Sequence, residues 1–402
     1  MSQSRHVFTG VILLYFIIGL EILIMISPFA AFFYAAFNPF LLFLAKWPAT
    51  RWLAGFFLPH MVLPPGILLK SIRVAGSVLF VGGTIVFLFS AGQVYYHKFA
   101  RRGPVLGGLY QWIRHPQYVA LAVTGLGLAI LWPRFLTIVL WTVMVGLYSL
   151  LARDEERRMV AQFGDAYRGY QARTGRFFPR ALEQAAARVP QPQSRRFRAA
   201  AGFVLVAVLA AGGAFALRAY TVAHLPIWAS GRVVALAILP GDGIMLEHRM
   251  GDVLELPEVK PRLTQHPGPL LVYLVPKHYV MQGMIADTDP RWRLYEHHGS
   301  LAMIADWIFH PFRHLQGGHM MMHHEMGNGS APSPSATGTA RRLIFLHVDT
   351  NSGTTAPASV FAINAERTPL FFADVDIHNL VLQDIKDLGP GTGWGRVPTP
   401  MF

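Results

Sequence analysis

Long apolar runs constrain the fold of this chain more than any other feature. A helix needs about 20 mostly apolar residues to cross the hydrocarbon core of a bilayer. Only 14% of the 402 residues are charged, against about 25% in a typical soluble domain. We therefore predict an α-helical polytopic membrane domain with about five spans. The runs that predict them are Val7–Phe37, Val74–Val94, Gln117–Leu131, Phe135–Leu151 and Ala199–Leu217.

The runs also suggest how the membrane part is divided. Five prolines interrupt Asn38–Lys70, so this stretch cannot form one continuous helix. We interpret it as an interfacial or re-entrant segment that belongs with the first span, in an N-terminal region over residues 1–73. Residues 74–198 then form the membrane core with a basic loop, and residues 199–217 form the last span.

The distribution of charge predicts the topology. The net charge is +13, and residues 152–198 contain eleven arginines against five acidic residues. Basic residues collect in cytoplasmic loops, so this loop is expected inside the cell and residues 218–402 outside, in the periplasm of a bacterium. No nucleic-acid-binding motif accompanies the basic residues, so no nucleic-acid partner is expected. The absence of cysteine excludes disulfides and thiolate metal sites.

Residues 218–402 have a different composition and predict a β-rich extracytoplasmic domain. Short runs of β-forming residues alternate there with Pro, Gly and Asn, and residues 327–339 are a Ser/Pro/Gly-rich linker. We interpret Asp349, Asp374, Asp376 and His378 as surface or turn residues rather than as a catalytic site. The predicted strands are Val233–Leu239, Leu270–Val275, Leu343–Val348, Ser359–Ile363 and Leu370–Val375.

An unusual polar stretch, GLYQWIRHPQY over Gly108–Tyr118, precedes the third span. Pro116 can occupy the first turn of the helix, where its missing N–H costs nothing. The third and fourth spans form a hairpin, whose other end carries Asp154-Glu-Glu156. A hairpin brings its two ends together, so a His/Arg/Tyr cluster should meet a carboxylate cluster at the membrane surface. The alternative is a simple interfacial anchor at headgroup level.

Several motifs occur in a fixed order around this hairpin, and together they resemble a known family. They are Gly108-x-Tyr-x-x-x-Arg-His-Pro-x-Tyr118, then Glu155-Glu156, then Phe163-Gly-x-x-Tyr167-x-x-Tyr170-x-x-x-Thr174-x-Arg176-Phe-x-Pro179. The pattern resembles the membrane methyltransferases of the isoprenylcysteine carboxyl methyltransferase and phospholipid methyltransferase group, over about residues 74–179. Leu109 and Ala120 depart from it, since Pro and Gly often stand at these positions.

The resemblance implies a methyltransferase that uses S-adenosyl-L-methionine (SAM) as methyl donor. Its acceptor would be a lipid-linked or small membrane-accessible carboxylate, thiol or amine, reached from the lipid bilayer. The resemblance assigns catalytic roles to Glu155, Glu156 and Arg173, and Arg176 would help to close the pocket. The residues that it assigns to cofactor binding are Tyr110, Arg114, His115, Pro116, Tyr118, Glu155, Tyr167 and Tyr170.

A second cluster, rich in His and Met, lies near the linker. Imidazole and thioether ligands together suit copper, so one interpretation is a copper site, or a site for another transition metal. The other is a flexible loop of biased composition. A metal site would favour an alternative function, in which a metal-handling or sensor protein keeps a vestigial methyltransferase-like core. The predicted ligands are His310, His314, His319, Met322, His323, His324 and Met326.

Overall fold

A computed structural model describes most of the chain, in two compact units. Within the described residues, the first unit contains residues 71–215 and the second contains residues 40–70 and 216–391. The predicted first span and the predicted linker lie outside the described residues. The described ranges are 40–59, 62, 66–188, 194–279, 282–288, 309, 340–350, 355–363 and 365–391.

The first unit is helical. Three of the described helices are long and apolar enough to cross a membrane, over Ile67–His97, Phe135–Arg173 and Ala199–Ala223, and Pro116–Leu131 is a shorter apolar helix. Four of the five predicted runs are therefore confirmed as helices. The helices that build this unit are α1 (Ile67–Phe99), α2 (Pro116–Leu131), α3 (Phe135–Arg173), α4 (Arg180–Ala187) and α5 (Arg195–Ala223).

The predicted hairpin forms from α2 and α3. Pro116 opens α2 in its first turn, and the helix ends before Pro133, because the residue that precedes a proline is disfavoured in helical geometry. The indole Nε1 of Trp141 donates to the carbonyl of Ala122 at 2.7 Å and ties the two helices together. On the other side of α2, a β-carbon at Gly127 would lie 2.4 Å from the backbone nitrogen of Phe80, so α1 and α2 pack closely.

The second unit is a mixed six-stranded sheet with strand order β1-β2-β3-β4-β5-β6. β2 and β3 are parallel, and every other neighbouring pair is antiparallel. The parallel pair is joined through α6 (Gly243–Leu254) and α7 (Lys260–Gln265), which pack on one face of the sheet. The strands are β1 (Ile227–Ser230), β2 (Val233–Ala237), β3 (Leu270–Pro276), β4 (Ala340–Asp349), β5 (Glu366–Asp376) and β6 (Val381–Asp387).

The predicted strand Ser359–Ile363 is wrong. This stretch contains a helical turn, α8 (Pro357–Val360), with Pro357 in its first turn. Val360 and Phe361 are fully buried, so the apolar run reflects contact with the core rather than strand pairing. The sequence also missed β6, because that edge strand is largely exposed and alternates with Asp and Lys instead of forming an apolar run.

The prediction that Asp374 lies on the surface is also wrong. The residue is 1% exposed, and Arg342 donates to both of its carboxylate oxygens at 2.6 and 2.7 Å. The two residues face each other across β4 and β5, so the paired guanidinium compensates for burial of the carboxylate. Asp349 and His378 are exposed as predicted, and Asp376 accepts the backbone N–H of His378 at 3.1 Å in a turn.

Candidate functional site

The polar stretch before α2 is held by hydrogen bonds from several elements. A short 3-10 helix, Gly108–Gln111, buries the ring of Tyr110. The hydroxyl of Tyr110 donates to Oε1 of Gln117 at 2.9 Å, and the hydroxyl of Tyr170 donates to the carbonyl of Tyr110 at 2.6 Å. α1, α2 and α3 thus surround this stretch and fix the start of α2.

The end of α3 returns to the same place because the helix is kinked. Gly164 has φ of 52°, a value that glycine adopts without strain. After the kink, Gly175 and Arg176 run beside Arg114 and His115. The N–H of Arg114 donates to the carbonyl of Gly175 at 2.8 Å, and the N–H of His115 donates to the carbonyl of Arg176 at 3.2 Å.

Gly175 allows the chain to turn sharply after this pairing. A β-carbon at that position would lie 1.7 Å from the carbonyl oxygen of Phe178. No other residue type fits this space without moving the backbone of the turn. In the motif Thr174-x-Arg176, the middle position therefore has to be glycine.

Glu156 is the buried centre of the charge cluster. Its carboxylate is 6% exposed and accepts from Nε of Arg114 at 2.7 Å and from Nε of Arg176 at 3.0 Å. A second nitrogen of Arg176 also contacts it. Arg114 in turn donates to the carbonyls of Gln171 and Thr174. Two guanidinium groups thus neutralise this carboxylate. They tie it to the stretch before α2, which carries Arg114, and to the turn after α3, which carries Arg176.

Glu155 has a different environment. Its side chain is 39% exposed. The hydroxyl of Tyr118 donates to Oε2 of Glu155 at 3.2 Å, and Nδ1 of His115 lies 3.5 Å from the same oxygen. Within the described part of the chain, Oε1 of Glu155 has no hydrogen-bond partner. This carboxylate therefore keeps one oxygen for a further contact.

His115 links the two carboxylates. Its ring is 1% exposed, with Nε2 3.4 Å from Glu156 and Nδ1 beside Glu155. Burial by itself would lower the pKa of His115, but hydrogen bonding and attraction to the two carboxylates outweigh it and raise the pKa. The ring stacks on Tyr118 with centroids 5.4 Å apart, and Tyr118 stacks on Tyr148 at 5.2 Å.

An apolar groove of about 470 Å³ begins beside this cluster. One wall comes from α1 and the other from α2, and Ile113 and Pro116 connect the groove to Arg114 and His115. Gly82 lies in the α1 wall, where a β-carbon would meet nothing within 4 Å. The lining residues are Val78, Leu79, Gly82, Gly83, Val86, Leu109, Trp112, Ile113, Pro116, Val119, Ala120, Val123 and Pro179.

The structure brings together nearly all of the residues that the family pattern assigns. Tyr167 is buried and its ring lies 5.5 Å from that of Tyr170. Arg173 is exposed at the end of α3 and forms no ion pair within the described ranges, whereas Arg176 reaches the cluster. Sequence reasoning missed Glu183, although an acidic residue in the first turn of a helix is a known capping signal.

The predicted metal site stays a prediction. Its seven His and Met ligands, between His310 and Met326, lie outside the described residues. Within the residues that are described, no group of three or more His, Asp or Glu side chains could hold a metal ion.

Comparison with known proteins gives one match. Residues 71–166 match the family model described as phospholipid methyltransferase. The matched segment begins in α1 and ends in α3, so it includes the Arg114-His115-Pro116 stretch and both Glu155 and Glu156. No curated protein and no solved structure matches the chain. The family resemblance is confirmed over this segment. With the three long apolar helices, it indicates a membrane protein with a segment similar to phospholipid methyltransferases.

Proposed function

We propose that this chain is an integral membrane methyltransferase that uses SAM and transfers the methyl group to a lipid-linked or small membrane-accessible acceptor. One observation carries the proposal: the cluster of His115, Glu155 and Glu156 lies inside the matched segment and beside an apolar groove. The cluster offers charge and hydrogen bonds, and the groove offers a surface for a hydrocarbon chain.

The side chains of the cluster fit SAM. This cofactor presents an ammonium, a carboxylate and a ribose, and when bound it supplies a methyl group on a positively charged sulfur. Glu155 offers a partly exposed carboxylate oxygen for one of the cations. Arg114, His115, Tyr118 and the backbone of the neighbouring loop supply donors.

The two glutamates take different roles in this proposal. Glu156 is neutralised by Arg114 and Arg176, so it holds the two loops together and contributes little net field at the ligand. Glu155 has no arginine partner among the described residues, and in this proposal it faces the ligand. A carboxylate in a partly desolvated site favours an adjacent sulfonium. The closing role that the family pattern gives to arginines passes to Arg176, because Arg173 is exposed.

The groove favours an acceptor with an apolar tail. Its lining is nearly free of polar groups, and it runs between two helices of the membrane part. A tail seated there would place the polar head near the cofactor, and alignment of two reactants can contribute about 7–11 kcal/mol to catalysis. A carboxylate head needs no base, whereas a thiol or an ammonium must first lose a proton.

The topology proposal follows the charge distribution. The basic loop and the cofactor site face the cytoplasm, about five spans cross a bacterial inner membrane, and residues 218–402 are extracytoplasmic. The positive-inside rule supports this arrangement. Cysteines introduced singly at Gln184 and Asn379 would test it, because a membrane-impermeant thiol reagent applied to intact cells should label only the second.

The experiment that tests the function is methyl transfer in membranes. Full-length protein in proteoliposomes made from bacterial lipid extract is given SAM with a labelled methyl group, and the lipid fraction is analysed by mass spectrometry. We expect a methylated lipid that is absent with Glu155→Gln. A folded protein that binds SAM but labels neither lipid nor added small acceptors would contradict the proposal.

A further inference from the structure

The turn that follows α3 is anchored by one carboxylate. Oε1 of Glu183 accepts three successive backbone N–H groups, from Arg176 at 2.7 Å, Phe177 at 3.1 Å and Phe178 at 3.4 Å. Glu183 lies in the first turn of α4, and its own N–H donates to the carbonyl of Pro179 at 3.2 Å. The carboxylate therefore joins α4 to the turn.

The anchored turn forms one wall of the charge cluster. The guanidinium of Arg176 contacts Glu156, and the carbonyl of Arg176 accepts the N–H of His115. The ring of Phe177 lies 5.9 Å from the ring of His115. Glu183 touches none of the groups that would face the ligand. It holds the backbone of the turn, and its charge adds to the larger effect of Glu156 in raising the pKa of Arg176.

Packing alone does not hold this turn. The side chain of Phe178 is 61% exposed, and Arg176 and Phe177 are only half-buried. Hydrogen bonds from N–H groups to an ionised carboxylate are about twice as strong as neutral ones. Three of them on one oxygen make Glu183 a fixed point of the turn, beside the contacts that Arg176 makes with Glu156 and His115.

We propose that Glu183 is a positioning residue for the methyl-transfer site: its carboxylate holds the turn at 176–178, and through it Arg176 and Phe177, against His115 and Glu156. The inference rests on the proposed function for its catalytic meaning. Its structural step, the anchoring of the turn, stands independently of that function.

The structural step is tested without any ligand. Backbone hydrogen exchange is measured by mass spectrometry on full-length detergent-purified protein, for wild type, Glu183→Ala, Glu183→Gln and the control Gln184→Ala. Gln184 is the exposed neighbour on the same helix. We expect the fastest exchange at residues 176–178 in Glu183→Ala and a smaller increase in Glu183→Gln, because the amide oxygen of glutamine still accepts hydrogen bonds but carries no charge. Unchanged exchange in Glu183→Ala would overturn the inference.

The functional step is tested by SAM binding in the same four proteins. We expect Glu183→Ala to weaken binding about tenfold, the size expected for losing hydrogen bonds to a charged group, with Glu183→Gln close to wild type. In the background Arg176→Ala, the further change Glu183→Ala should cost almost nothing. If the losses of SAM affinity from Arg176→Ala and Glu183→Ala were fully additive, Glu183 would not act through Arg176, and this step of the inference would be wrong. Wild-type protein that binds no SAM would instead refute the proposed function, and the exchange result would still decide the structural step.

Discussion

The two units both contain arginine–carboxylate clusters, but the clusters are built differently. In the second unit each buried aspartate faces one arginine in a two-pronged pair, Asp374 with Arg342 and Asp242 with Arg341. In the first unit the charges are distributed unevenly. Glu156 contacts two arginines and His115, while the partners of its neighbour Glu155 among the described residues are Tyr118 and His115.

This difference separates charges that hold a fold from charges that can bind a ligand. A two-pronged pair uses both carboxylate oxygens internally, so it leaves little for a ligand. The uneven cluster leaves one oxygen of Glu155 without a partner among the described residues, on a side chain that is 39% exposed. Burial and arginine pairing set Glu155 apart from the other three carboxylates, and the unoccupied oxygen of Glu155 is what a ligand could use.

The largest effect is expected from breaking one of the two-pronged Asp–Arg pairs of the second unit. Asp374→Ala leaves Arg342 buried without its main partner, and loss of one member of a buried pair costs about 3–5 kcal/mol. We expect the second unit to unfold at clearly lower denaturant concentration, as followed by circular dichroism. The exposed Asp349→Ala is the control and should change stability little. A loss at Asp374 no larger than at Asp349 would show that the pair is not structural.

The next largest effect is expected from distorting the uneven cluster around Glu155 and Glu156 without removing a charge. In Gly175→Ala the new methyl group collides with the carbonyl of Phe178, so the turn must move. We expect methyl transfer to slow about 100-fold, the scale associated with a 1 Å misplacement, and SAM affinity to fall as well. Gly169→Ala, where the added atom meets nothing within 4 Å, should bind SAM like wild type. Equal affinity in both variants would refute the geometry of the turn.

Filling the groove should affect the acceptor and not the cofactor. Gly82→Leu puts a side chain into the groove, and Gly92→Leu puts one on the same helix at a position outside the groove lining, where a β-carbon likewise meets nothing within 4 Å. We expect Gly82→Leu to raise KM for a long-chain acceptor about tenfold, in line with the 1–3 kcal/mol that a hydrophobic pocket discriminates, with unchanged SAM binding. If Gly92→Leu gave the same increase in KM, the groove would not be the tail site.

The smallest expected effect is on pH dependence. The two carboxylates raise the pKa of His115 above its ordinary value of 6.5. The stabilisation from the charged ring is therefore complete below about pH 6.5 and is lost as the pH rises through the raised pKa. Hydrogen exchange at residues 113–115, corrected for intrinsic pH effects, should show weaker protection above neutral pH. His115→Gln should abolish this pH dependence of the protection. If the pH dependence persists in that variant, it comes from another titratable group.

Much of the membrane part could be predicted because its signals are local. Apolar runs predicted four described helices, and the ordered motifs predicted which residues of α2 and α3 would meet. The choice between Arg173 and Arg176 could not be made from sequence. It depends on the kink at Gly164 and the turn at Gly175, which decide the side chain that reaches Glu156.

The errors in the second unit have a common cause. Ser359–Ile363 and Asp374 were interpreted from local residue type, whereas their state depends on distant partners. Val360 and Phe361 are apolar because they join the core, and Asp374 can be buried because Arg342 lies opposite it. β6 shows the reverse case, since an exposed edge strand needs no apolar run. Such pairings become visible only when the strands are assembled.

SAM binding by the full chain tests the central claim most directly. Calorimetric titration of detergent-purified wild type is compared with Glu155→Gln and with the control Asp154→Asn. Among the described residues, the ion-pair partners of Asp154 are the exposed Arg157 and Arg158. The account in which Glu155 binds the cofactor predicts saturable SAM binding in wild type and Asp154→Asn. It predicts at least about tenfold lower affinity in Glu155→Gln, which corresponds to about 1.4 kcal/mol. No binding by folded wild type, or equal binding by all three proteins, would contradict it.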